Sequence, residues 1–137
     1  MSVSALDDGV LAILKADATL TTRAPGGVYR DMAPLGTAEP FVIVTLMAHL
    51  DIPQFGDAPA YEEGRYLVKA VGQGTSATAT ESAADRIHAV LHGALLTITG
   101  FTQMGSWRDE RVSYVEADGP VRWQHRGGVY VVRACPN

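Results

Sequence analysis

The seven residues Phe41-Val42-Ile43-Val44-Thr45-Leu46-Met47, entered from Pro40, limit what this chain can become more than any other segment. The run is continuous, apolar and rich in β-branched residues. It predicts a strand covered on both faces or lying centrally in a sheet. Such a strand needs neighbours, and Arg65 to Val71 reads as one. Tyr66, Val68 and Ala70 alternate with Arg65, Leu67 and Lys69, the period of two that gives a strand unlike faces. Between the two, Ala48 to Ala60 carries Pro53, Gly56 and Pro59 among Asp51, Ile52, Phe55 and Asp57. It reads as a loop, too long for a tight hairpin and unusually apolar.

Two segments carry the helical period. From Ser4 to Lys15, Leu6, Val10, Ile13 and Leu14 recur on one face, with Ser4 as N-cap and Asp7 and Asp8 at the positive end of the dipole. Gly9 weakens this helix by about 1 kcal/mol relative to alanine, so it must lean on packing. Ala24-Pro25-Gly26-Gly27 breaks the pattern, and Val28-Tyr29-Arg30 begins something extended. The second helix has Thr78 as N-cap, Glu81 completing a capping box, Ala84, Ile87, Val90, Leu91 and Ala94 as its buried face, and Gly93 as its stop.

The rest is β-rich: Leu95 to Trp107, Arg111 to Glu116, a turn at Asp118-Gly119-Pro120, Val121 to His125, and Val129 to Ala134. Helix, strands, helix, strands is the order of an α+β fold. The expectation is a two-layer sandwich, a mostly antiparallel sheet with two helices packed on one face. At 137 residues, with 47% hydrophobic and 19% charged, the chain is the size of one domain, residues 1–137, with enough apolar surface for a core.

Charge narrows the partners. The net charge is -4, the wrong sign for a domain that gains affinity by neutralising phosphates. It is also uneven: residues 1–100 carry six Lys/Arg against eleven Asp/Glu, and residues 101–137 five Arg against four acids, as if two regions faced different partners. Cys135 is the single cysteine, which rules out an intrachain disulfide and suits a reducing compartment. The first fifteen residues have acids where a secretory signal has bases, and no apolar run is long enough to span a bilayer. The chain reads as made in the cytoplasm, with no membrane partner.

Chemistry finds little purchase. Gly72-x-Gly74-x-x-Ala77 has the spacing of a dinucleotide fingerprint, but the preceding strand is amphipathic and no acid follows at the ribose distance, so a strand-to-helix turn is the plainer reading. Asp85, His88 and His92 share a helix face at a spacing that could hold a metal. The alternative is solvated histidines at a helix C-terminus, where positive charge suits the dipole. Gly105-Ser106-Trp107 lacks the second glycine of a serine elbow. The expectation is no enzyme, no cofactor and no metal. Arg108, Arg111, Arg122 and Arg126 interleave with Trp107, Tyr114, Trp123 and His125. Because Asp109, Glu110, Glu116 and Asp118 lie among them, they suit cross-strand pairs or a subunit interface better than single-stranded nucleic acid.

Gly27-Val28-Tyr29-Arg30-Asp31-Met32-Ala33-Pro34, then Glu39-Pro40-Phe41-Val42-Ile43-Val44, resembles the opening of the tail-completion or tail-terminator family of long-tailed phages, prophages and gene-transfer particles. The close, Arg126-Gly127-Gly128-Val129-Tyr130-Val131-Val132, fits the same pattern, and the resemblance runs from about Leu6 to Ala134. These motifs mark how strands begin, so they specify fold before activity. The resemblance implies a structural virion protein at the tail or neck, assembled in the host bacterial cytoplasm. It would form a ring of about six copies that ends tail-tube polymerisation, with the tail tube protein and the head-tail connector protein as partners and DNA passing through. It implies no catalytic residues. A head-closure or connector ring of the same neck is the alternative, and a small metal-binding cytoplasmic enzyme using Asp85, His88 and His92 is the alternative from another class. The expected contact surfaces are the loop from Asp51 to Tyr61, with Ile52 and Phe55 as anchors, and the Trp107 and Trp123 region. For both tryptophans, core packing is the competing reading.

Overall fold

The structure, a computed structural model, describes residues 5–54, 56 and 60–137. Its elements in chain order are α1 (Ala5–Ala16), α2 (Ala18–Arg23), β1 (Val28–Arg30), β2 (Phe41–Ile52), β3 (Tyr61–Gln73), α3 (Thr78–Leu91), β4 (Phe101–Asp118) and β5 (Val121–Pro136). The five strands form one sheet in the order β1-β2-β3-β5-β4. Only the short β1–β2 pairing is parallel. The α+β architecture is as the sequence predicts, and the Phe41–Met47 run lies inside the sheet.

The core lies between the sheet and the helices. Val42, Val44, Tyr66, Val68, Ala70, Tyr130, Val132 and Ala134 point from one sheet face into Leu6, Val10 and Leu14 of α1, Leu20 of α2, and Ala83, Ile87 and Leu91 of α3. Gly9 explains itself here: a Cβ on it would stand 3.1 Å from Ile98 and 3.2 Å from the Thr97 carbonyl oxygen, so α1 trades propensity for a close approach. Tyr66 crosses this layer and donates its hydroxyl to Asp7 Oδ1 at 2.5 Å. Burial, then that contact, pushes its phenol pKa far above the ordinary value.

Several sequence expectations are corrected. Among the described residues three helices, not two, cover the face. The missed one, α2, is short, and Asp17 caps it by accepting from the Leu20 amide at 2.8 Å. Arg86 of α3 grips both oxygens of the same carboxylate, at 2.8 and 2.7 Å, which together with the Leu20 amide holds the Asp17 pKa below the usual carboxylate value. Thr78 is the first helical residue rather than the N-cap. Ala77 holds the cap position without a side-chain bond, and Glu81 turns instead to Arg126 of β5 at 3.6 Å, so no capping box forms. Gly93 does end the turn, at φ +73°. Ser4 lies outside the described residues.

The strands run longer than their composition suggests. β2 continues through Ala48 to Ile52, past a bulge between Leu46 and Ala48, and pairs there with Tyr61 to Arg65. Gly127-Gly128 does not divide β5. A Cβ on Gly127 would stand 2.1 Å from the Val68 carbonyl oxygen and one on Gly128 2.7 Å from the Glu110 carbonyl oxygen, so the glycines let three strands close up. No helix among the described residues is long and apolar enough to cross a membrane.

Candidate assembly interface

The other face of the sheet carries no helix among the described residues. Ile43, Val71, Val129 and Val131 are buried there without joining the helix-side core, shielded by a rim of long polar and aromatic side chains. Those rim residues come from three strands whose register is antiparallel, so residues remote in sequence meet in pairs.

At one end, Arg133 of β5 lies over two rings. Its guanidinium is 5.5 Å from the Tyr61 ring of β3 and 5.0 Å from the Trp107 ring of β4, and its Nε donates to Glu63 at 2.7 Å. Arg65 pairs beside it with Asp109, the residue at the β4 bulge. Further along, Lys69 Nζ donates to the Tyr114 hydroxyl at 2.7 Å, and the Tyr114 ring stacks on His125 at 4.4 Å. His125 is buried and 2.9 Å from Glu116. Burial dominates and lowers its pKa despite that carboxylate.

At the far end Trp123 meets Phe41 edge-on at 6.3 Å. The pair lines a cleft of about 470 Å³ roofed by the arm from Asp31 to Thr37, whose Met32 and Leu35 point apolar side chains into solvent, 80% and 106% exposed. An arm that exposes two such residues beside an aromatic pair has the composition of a contact surface.

The sequence-named residues therefore separate. Asp51 and Ile52 belong to the end of β2, paired with Glu62 and Tyr61, rather than to a loop. Tyr61 and Trp107 come together on Arg133. Trp123 does not join Trp107: Trp107 pairs with Val131, eight residues from Trp123 along β5, or about 26 Å at 3.3 Å per residue. Both tryptophans are partly buried. Phe55 lies outside the described residues. Arg133, Arg65, Met32 and Leu35 were missed. Only Met32 and Leu35, apolar residues in a proline-bracketed segment, left a signal in the sequence.

The helix histidines make local contacts. His88 and His92 lie with ring centroids 4.7 Å apart, His92 Nδ1 accepts from the Arg108 amide, and His88 is 3.3 Å from the Tyr130 hydroxyl. Burial, then Arg108 and His92, lowers the His88 pKa. Asp85 does not converge with them in the geometry of a cation site. The Gly72–Ala77 segment follows a strand antiparallel to both neighbours, which removes the parallel βαβ setting a dinucleotide needs.

Against known proteins, the fold is matched by a chain of the virion of a native gene transfer agent particle. It is 19% identical, covers 98% of this chain and 99% of that one, and has a TM-score of 0.74. A second solved structure, 12% identical over 100% of this chain and 96% of its own, has a TM-score of 0.60. No curated protein matches the sequence. The model of the family described as tail completion protein gp17 matches residues 8–134, from α1 through the helix-free sheet face and nearly to the end of β5. The chain belongs to that family, and is a structural protein of a phage-type tail.

Proposed function

We propose that about six copies of this chain close into a ring at the head-proximal end of the tail, end tube polymerisation and present a surface to the head connector. The observation that carries this reading is the family match over residues 8–134. The likeness to a chain of a gene transfer agent virion supports a place within the particle.

A ring of head-to-tail contacts needs two different, complementary patches on each copy. The helix-free face offers two at opposite ends. One holds Tyr61, Trp107 and Arg133, with Ile52 at its margin; Asp51, paired with Glu62, emerges on the opposite face. The other holds Trp123 and Phe41 beneath the Met32 and Leu35 arm. Aromatic and arginine side chains are the ones interfaces enrich. The net charge of -4 suits a channel that DNA traverses without adhering.

Quantitative mass spectrometry of purified particles tests the reading. About six copies per particle, together with overlong tubes when the gene is deleted, is the expected result. Absence from intact particles, or normal tube length in the deletion, overturns it.

A further inference from the structure

The β2 bulge assembles a second constellation, far from the aromatic patches in character. One extra residue between Leu46 and Ala48 shifts the face on which the following side chains emerge. His49 and Asp51 thereby come to the same side as Glu62 of β3, which is directly paired with Asp51. His49 Nε2 is 2.7 Å from Glu62 Oε1 and 3.7 Å from Asp51 Oδ1, and the three ligand atoms lie within 4.8 Å of one another.

Glu62 is the unusual member. Its side chain is 2% exposed, and Oε2 is buried with no hydrogen-bond partner among the described residues, as is His49 Nδ1. Among the described residues, its ion-pair partner is His49 alone. A buried carboxylate with one oxygen undonated is a group that natural structures rarely leave uncompensated. Asp51, 67% exposed, opens the cluster to solvent and gives an ion a way in.

We infer that His49, Asp51 and Glu62 form a binding site for a divalent first-row metal ion, of which zinc is the best chemical match. One imidazole nitrogen and two carboxylate oxygens are a borderline donor set. In a tetrahedral zinc site, bonds of about 2.0–2.2 Å hold neighbouring ligand atoms about 3.3–3.6 Å apart, so the observed 2.7 and 3.7 Å need only small adjustments. Three protein ligands leave the fourth position for water. The bound ion cross-links the end of β2 to the start of β3, and so stiffens that end of the strand pair.

The test is isothermal titration calorimetry of untagged full-length chain, stripped with chelator and titrated with zinc chloride at neutral pH. Saturation near one equivalent is expected, with a melting temperature that rises with zinc. His49→Ala and Asp51→Asn should each weaken binding by more than about tenfold, since even outer-shell partners are worth 10- to 100-fold. Asp51→Asn keeps the test valid if His49→Ala fails to fold, because the Asp51 side chain is mostly in solvent. No saturable binding up to about 1 mM zinc, or binding that survives both variants and vanishes with His88→Ala and His92→Ala, overturns the inference.

Discussion

Gly64→Ala tests how tightly α1 and the sheet are keyed together. Gly64 lies in β3 two residues from Tyr66, whose ring folds back over it. A Cβ at position 64 would stand 2.6 Å from Tyr66 Cε2, 2.7 Å from its hydroxyl and 2.9 Å from Cζ. Carbon contacts are comfortable at about 3.5–4.0 Å, so the overlap is close to 1 Å. The ring has no free direction: Tyr66 is fully buried and its hydroxyl is held by Asp7 of α1. Overpacking of this kind destabilises by about 1–3 kcal/mol. Restricting the unfolded chain returns about 0.4–1 kcal/mol. The net loss is about 1–2 kcal/mol, and at 2.1 cal/mol/K per residue a chain of this length should melt about 3–7 °C lower. Differential scanning calorimetry reads it directly. The cause is isolated by repeating the change in a Tyr66→Leu background, where the overlapping atoms are gone and the alanine should be neutral or stabilising. Additivity of the two changes within about 0.5 kcal/mol, or a Gly64→Ala protein as stable as the parent, would refute the reasoning.

Other outcomes follow from the same contacts. Gly127→Ala should be worse than Gly64→Ala, because its Cβ meets backbone at 2.1 Å, which cannot step aside; soluble yield and circular dichroism check it, and a native-like spectrum and melt would count against the three-strand packing. His88 and His125 both have lowered pKa values, so the unfolded chain takes up protons before the folded one as pH falls below about 6.5, and stability drops there. A His88→Asn/His125→Asn variant should flatten that part of the melting-temperature profile. Asp17 acts in a separate window: its depressed pKa lends stability above the ordinary carboxylate value, lost as pH falls through the folded one, so Asp17→Asn should remove acid sensitivity below about pH 4. Arg133→Ala uncovers the Tyr61 and Trp107 rings and should shift tryptophan emission to the red, while Trp123, at the other end of β5, contributes no change.

Much of the fold follows from local pattern. The Phe41–Met47 run, the alternation from Arg65 to Val71 and the helix period ending at Gly93 each state their element in the order of polar and apolar residues, because the periods of two and 3.6 are properties of the backbone itself. The motifs that point to the family, at Val28-Tyr29 and Pro40-Phe41, lie where β1 and β2 begin and are equally local. What stayed hidden was everything that depends on who pairs with whom. Nothing in the order of residues around Asp17 announces the Arg86 that arrives from α3, and Glu81 reads as a capping-box partner until Arg126 arrives from β5. Gly127-Gly128 looks like a break because the sequence does not display the strands pressed against it. His49, Asp51 and Glu62 are three scattered polar residues until a single bulge turns two of them onto the face of the third. Arg133 gathers Tyr61 and Trp107 while Trp123 is carried to the far end of the same strand, because antiparallel register fixes distances that sequence separation does not encode.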